Sequence, residues 1–127
     1  MSDPRERLDS VYVEAKREQL LALRTEIQRV ANAAEAEERY IRTEAPREAR
    51  EYQDDAEELD LLERQGLLVN RSVERLARIE RALAKIANGT YGYSDESGKR
   101  IPDERLDFMP DAINTAGEQE IAEREAR

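Results

Sequence analysis

The sequence predicts a mainly α-helical protein: a long antiparallel helical hairpin (a coiled coil), then a small C-terminal module and a final helix. Charged residues make up 40% of the 127 residues and aromatic residues only 5%, which is typical of long helices with narrow apolar seams. Two segments repeat apolar residues every seven positions, the spacing of a helix that packs on one partner helix. After Gly89 the periodic pattern gives way to glycines, prolines and short apolar runs.

The first predicted helix covers about residues 7–45. Glu37 interrupts its seam, and Pro46 should end or kink the helix because proline disfavours the α conformation in the residue before it. The seam residues, which share one side of the helix, are Val13, Leu20, Ile27, Ala34 and Ile41, with Leu23 and Val30 between them.

The second predicted helix covers about residues 54–88 and ends at Asn88-Gly89, since glycine readily takes the left-handed conformation after a last helical turn. Two seamed helices of similar length favour a hairpin within one chain, although an intermolecular coiled coil has the same pattern. We therefore expect a hairpin over 1–88, with its tip near 46–56, and a module over 89–127. The seam residues of this helix are Leu62, Val69, Leu76 and Leu83, with Val73, Ile79 and Ile86 between them.

The predicted hairpin tip is acidic. Glu51, Asp54 and Asp55 fall at positions i, i+3 and i+4, which lie on one face of a helix. Acidic residues are also what the first turn of a helix favours. A structural and a functional interpretation therefore both fit these residues.

The C-terminal module has the outline of a metal-binding turn without its ligands. Ser94 and Ser97 stand at the spacing of a CxxC motif and are followed by Gly98, but the chain contains no cysteine and no histidine. Zinc binds sulfur or imidazole nitrogen, so we expect no zinc. We expect a tight turn between two short strands around 91–93 and 101. A capping box from Thr115 to Glu118 should begin a last helix that runs to about Glu125.

Packing of apolar side chains is expected to stabilise this small module where a metal normally would. Leu106, Phe108 and Met109 are expected to pack back onto the base of the hairpin. The residues expected to form the apolar contacts of the module are Tyr91, Tyr93, Ile101, Leu106, Phe108 and Ile113.

Several of these residues together resemble the DksA/TraR family, bacterial transcription factors in which a helical hairpin carries a four-cysteine zinc finger. The similarity runs without gaps from about Glu51 to the C-terminus, whereas the first helix matches only in helical character. The matching residues are Arg78 to Leu83, Ile86, Gly89 to Tyr93, Gly98, Ile101, Arg105-Leu106 and Pro110.

On that alignment the four zinc-ligand positions are occupied by Ser94, Ser97, Thr115 and Glu118. The resemblance therefore implies a zinc-ribbon-like module that lacks metal, and no cofactor.

The resemblance also implies that the hairpin enters the secondary channel of RNA polymerase and places acidic residues near the active site. The family pattern there is DxxDxA, and this chain has Glu51, Asp54, Asp55 and Ala56 in the corresponding segment. Asp54 and Ala56 match the pattern, while Glu51 replaces its first aspartate.

Two basic positions of the second helix are also similar to the family. Arg71 and Arg78 match residues that help to bind guanosine tetraphosphate, the nucleotide of the stringent response, at the interface with polymerase. Arg75 and Gln119 depart from the family, which has an apolar residue and a lysine there. An alternative interpretation is that these arginines only keep the helix solvated.

Composition limits the other function classes. The net charge of −9 opposes direct binding to DNA, and no apolar run approaches the roughly 20 residues of a membrane span. No nucleophile with an evident base is found, so we expect no enzyme. We expect a cytoplasmic monomer that regulates transcription; the alternative is a structural or adaptor coiled coil that kept the scaffold without polymerase activity.

Overall fold

The structure, a computed structural model, describes residues 9–44 and 55–126. These ranges contain helix α1 (Ser10–Arg39), a π-helical turn (Tyr40–Glu44), and helices α2 (Asp55–Asn88), α3 (Asp103–Phe108) and α4 (Ala116–Glu125). The predicted mainly α-helical fold class with its long helical hairpin is confirmed. In place of the predicted pair of short strands there is one antiparallel bridge, between Tyr93 and Arg100.

Side-chain and backbone hydrogen bonds fix the ends of the long helices. Asp9 Oδ1 accepts a hydrogen bond from the backbone N–H of Val11 at 2.8 Å, which caps the start of α1. Helix α2 ends just before Gly89. The φ of Gly89 is 76°, a left-handed conformation that glycine adopts easily because it has no side chain. The N–H of Thr90 then reaches back to the carbonyl of Lys85 at 2.8 Å, as in a Schellman motif.

The chain divides into two compact units. The first contains the described residues up to Leu23 together with those from Ala77 onward, and the second contains Arg24 to Leu76. The C-terminal module thus groups with the first part of α1 and the last part of α2. The boundary expected at residue 88 on composition stays a prediction.

In the second unit the two long helices lie side by side along their seams. Ala34 and Ile41 are buried. Gln65 Nε2 donates a hydrogen bond to Glu37 Oε2 at 2.9 Å, so the polar residue that interrupts the first seam meets a polar residue of the second helix.

One seam position of α2 was predicted wrongly. Val73 is 58% exposed, whereas its neighbour Ser72 is only 6% exposed. A coiled-coil seam alternates steps of three and four residues. From Val69 the next step therefore falls on Ser72, and the small polar residue takes the inner position although valine is the more apolar of the two.

The core of the first unit joins the long helices to the module. The predicted burial of Leu106 is confirmed, but that of Phe108 is wrong, because its side chain is 86% exposed. Residues two apart on a helix point roughly 200° away from each other, so burying Leu106 turns Phe108 to solvent. The buried apolar residues of this unit are Leu20, Ile79, Ala82, Tyr91, Ile101, Leu106 and Ala112.

Candidate functional site

The turn that carries the two serines is built by hydrogen bonds to the first of them. Ser94 is buried, and its Oγ accepts from the N–H groups of Glu96 at 3.0 Å and Ser97 at 3.2 Å. Gly98 closes the turn with a φ of 74° and donates its N–H to the Ser94 carbonyl at 2.9 Å. A hydroxyl oxygen thus orders the loop in which the zinc finger would use a thiolate.

The predicted capping box at the start of α4 is confirmed. Thr115 Oγ1 accepts from the N–H of Glu118 at 3.3 Å, and Glu118 Oε1 accepts from the N–H of Thr115 at 2.8 Å. Two N–H groups that a helix start leaves without helical partners are satisfied in this way.

Glu118 also joins α4 to the turn formed by residues 94–98, which we call the serine turn. Hydrogen bonds from Ser97, from the backbone of Thr115 and from Ser94, in that order of importance, lower the pKa of the Glu118 carboxyl to about 2. All four positions predicted from the zinc-finger alignment therefore meet, and the carboxylate is the shared acceptor.

This donor set does not fit zinc. Three neutral hydroxyls and one carboxylate lack the sulfur or imidazole ligands that zinc prefers, and the carboxylate is already bound by hydroxyl and N–H donors. Over residues 9–44 and 55–126 no group of three or more metal-ligating acidic side chains was found. The chain has no cysteine, so none of the four former ligand positions carries the thiolate of a zinc finger.

A second carboxylate, Asp95, fastens the serine turn to α2. Lys85 is only 2% exposed; its Nζ donates to Asp95 Oδ1 at 2.6 Å and to the carbonyl of Tyr93. Arg81 Nε lies 2.8 Å from Asp95 Oδ2. The hydrogen bond from Arg81, followed by that from Lys85, lowers the pKa of Asp95 to about 2 despite partial burial.

Two further carboxylates tie the rest of the module to the long helices. Asp107 Oδ1 accepts from Tyr12 Oη at 2.9 Å and lies 2.8 Å from the Nζ of the buried Lys16. Asp111 is fully buried, and its Oδ2 lies 3.3 Å from Arg78 Nε. Together with Asp95, these residues give the module three aspartates bound by cations of α1 and α2.

Sequence reasoning missed these three pairs. The partners stand 10 to 91 positions apart along the chain, as Lys85–Asp95 and Lys16–Asp107 do, and no periodicity links such residues. The available signal was the position of Lys16. It lies three residues after Val13 and four residues before Leu20, which is an inner position of the seam. A lysine at an inner seam position needs a partner.

The residues predicted at the hairpin tip are only partly described. Glu51 and Asp54 lie outside the described residues, Asp55 is the first residue of α2, and Ala56 is exposed. Their role in polymerase contact stays a prediction.

The two predicted phosphate-binding arginines differ in their surroundings. Arg71 is exposed, whereas Arg78 is half-buried and paired with Asp111. Neither arginine is assigned a ligand by the geometry alone, and their role in binding guanosine tetraphosphate stays a prediction.

In the described ranges no helix is both long enough and apolar enough to span a bilayer.

Comparison with known proteins finds a solved structure that is similar over most of the chain. No protein-family profile matches the sequence. Over 63 residues, half of this chain, it is 44% identical to the uncharacterized protein YteA of Bacillus subtilis, of which the match covers only 26%. The solved structure of transcription factor DksA2 from Pseudomonas aeruginosa covers 94% of this chain and 88% of its own, with a TM-score of 0.70 and 27% identity. The chain therefore has a DksA-like fold.

Proposed function

We propose that the protein regulates transcription by binding RNA polymerase through the secondary channel. The observation that carries this proposal is the likeness to the transcription factor DksA2, which extends over 94% of the chain. The residues of α2 and of the serine turn that resemble the DksA/TraR family agree with it. No chemistry by this chain is required, because the hairpin acts by placing carboxylates near the active site of the polymerase.

The acidic tip is the part of the chain that acts on the polymerase. Glu51, Asp54 and Asp55 bring carboxylates near the metal ion and moving elements of the polymerase active site. Charges placed there alter the stability of promoter complexes through local electrostatics. The longer side chain of Glu51 keeps the charge of the aspartate found in the family.

Transcription in vitro with purified bacterial RNA polymerase tests the role of the tip. Asp54→Asn should abolish the effect on a responsive promoter while binding to polymerase is largely kept, because only one charge is lost at the tip. Asp60→Asn is the matched control: it makes the same change on an exposed part of α2, where Asp60 pairs with Arg64 at 2.7 Å. Unchanged transcription with Asp54→Asn would overturn the tip mechanism.

Arg71 and Arg78 are proposed to contribute to a guanosine tetraphosphate site at the polymerase interface. A guanidinium group offers five N–H donors, so the pairing of Arg78 Nε with Asp111 leaves the rest of the group for phosphate oxygens. Arg71→Ala should weaken the response to the nucleotide, while Arg64→Ala, at another exposed arginine of α2, should leave it unchanged. An equal response of both variants would remove Arg71 from the site.

Competition separates this function from that of an adaptor coiled coil. A factor in the secondary channel should be displaced from polymerase by a Gre-type transcript-cleavage factor, which uses the same channel. Binding that such a factor does not displace, or no binding at all, would favour the adaptor function.

A further inference from the structure

A groove of the first unit lies outside the proposed tip mechanism. It has a volume of about 610 Å³ and lies against α3 and the first turn of α4. Pro102 and Phe108 supply apolar surface, and Ala116 and Gly117 line it from α4. The groove therefore combines an apolar wall with the start of a helix.

Phe108 is the largest apolar side chain in the lining of the groove, and it is exposed. It is the single phenylalanine of the chain and is 86% exposed, because Leu106 of the same short helix occupies the core. An aromatic side chain buries about 150–250 Å² in a contact. Isolated exposed apolar residues are ordinary, but this one lines a cavity that is bordered by cations.

The charge around the groove is locally positive in a chain of net charge −9. Of the described residues that line it, Lys99, Arg100 and Arg105 are basic and Glu104 is acidic. Arg105 Nε donates to the Asn114 carbonyl at 3.0 Å, which holds its guanidinium group beside the groove. Arg100 already shares Asp103, so Lys99 and Arg105 supply most of the available charge.

The first turn of α4 lines the groove without adding net charge. Ala116 and Gly117 lie in that turn, and the carboxylate of Glu118 offsets the partial positive charge of the helix start. With Lys99 and Arg105 in its lining, the groove is complementary to carboxylates rather than to a basic segment. The net charge of the whole chain also opposes a nucleic acid as the occupant.

We propose that this groove binds a short acidic segment of a partner protein. An apolar side chain of the segment packs on Phe108, and its carboxylates are bound by Lys99 and Arg105. This surface goes beyond the proposed function, because the tip mechanism uses none of these residues. A failure of one proposal leaves the other unaffected.

Backbone amide NMR spectra of the full chain test the groove with synthetic peptides. The probe is a short Glu-rich peptide with one central leucine. One comparison peptide has serine in place of the leucine, and another has lysines in place of the glutamates. The first should shift the amides of Lys99, Arg105, Phe108 and Gly117 together, and either change should remove most of the shift. No localised shift at millimolar peptide, or equal shifts with all three peptides, would overturn the proposal.

Variants of the chain make the test specific. Phe108→Ala and Lys99→Glu should each weaken peptide binding about tenfold, the loss expected on truncating an anchor or reversing a charge. Ile121→Ala removes an exposed apolar side chain of α4 away from the groove lining and should leave binding unchanged. Equal losses in all three variants would contradict the assignment. Dimers of the free chain that Phe108→Ala dissociates would assign the groove to a second copy and overturn it.

Discussion

The Nζ atom of Lys85 lies 2.6 Å from Asp95 Oδ1, and this ion pair joins the last turn of α2 to the turn that carries Ser94 and Ser97. The lysine is buried, while the side chain of Asp95 keeps 27% of its exposure. Lys85 also donates to the carbonyl of Tyr93. One buried cation thus satisfies two acceptors of the module.

Replacing Lys85 should therefore destabilise the fold far more than replacing Arg81, the other cation on Asp95. Lys85→Met removes the buried donor that serves both the Tyr93 carbonyl and the Oδ1 atom of Asp95. The expected loss in the free energy of unfolding is about 2–3 kcal/mol. The expected cost of Arg81→Met is below about 1 kcal/mol, since that side chain is half exposed and surface pairs contribute little. Urea unfolding of both variants measures the free energies.

Equal losses in the two variants would contradict this ranking. They would mean that Asp95 is held mainly from the surface by Arg81, and that the burial of Lys85 adds nothing to the stability of the module.

Glu118→Gln should change how the stability of the protein depends on pH. The hydrogen bonds from Ser97, Thr115 and Ser94 lower the pKa of Glu118 from 4.5 to about 2. Because the folded-state pKa is lowered, the stabilisation is fully present above about pH 4.5 and is lost as the pH falls toward about 2. The variant should be less stable than the natural chain at pH 7, and the difference should shrink through that window.

Urea midpoints at pH 7 and pH 3 measure this effect. Glu120→Gln makes the same change on the surface of α4, where Glu120 pairs with Arg124, and should leave the pH dependence as it is. Asp95, whose pKa is also about 2, contributes over a similar range. Some loss of stability in acid is therefore expected to remain in Glu118→Gln. If the stability of this variant changed with pH as steeply as that of the natural chain, the central role of this carboxylate would be contradicted.

The sequence predicted the parts of the fold that depend on local pattern. The bounds of α2, the end at Gly89 and the capping box of Thr115 all follow from periodicity or from residues close along the chain. The pairing of Lys85 with Asp95 does not, because 40% of the residues are charged and nothing local selects one partner among so many.

The same limit explains the seam of α2 and the gathering of the four former ligand positions. The search for apolar residues assigns Val73 to an inner position, whereas the steps of three and four residues select Ser72. The alignment placed Ser94, Ser97, Thr115 and Glu118 together as a lost metal site. That Glu118 would accept hydrogen bonds from the other three positions depends on side-chain geometry that spacing does not contain.

Two glycines should respond in opposite ways to alanine. Gly66 lies inside α2, where an added Cβ would meet no atom within 4 Å, so Gly66→Ala should stabilise the protein by about 1 kcal/mol. Gly98 also has open space, but its φ is 74°. Alanine is strained there, and Gly98→Ala should cost about 1–2 kcal/mol. Thermal unfolding of the two variants compares them directly.

Since both sites have room for a methyl group, this pair separates backbone conformation from crowding. A loss of stability in Gly66→Ala would mean that a contact of α2 depends on the absence of a side chain there. A neutral Gly98→Ala would mean that the serine turn tolerates another conformation.

The last prediction concerns the two apolar residues of α3, which sequence reasoning treated alike. Leu106 is fully buried and Phe108 is 86% exposed. Leu106→Ala should cost about 2–5 kcal/mol, the usual range for a cavity left in a core, while Phe108→Ala should change the free energy of unfolding by no more than about 0.5 kcal/mol. Urea unfolding of both variants measures the difference. A large cost for Phe108→Ala would mean that the phenylalanine packs inward, which would also remove the apolar wall from the proposed groove.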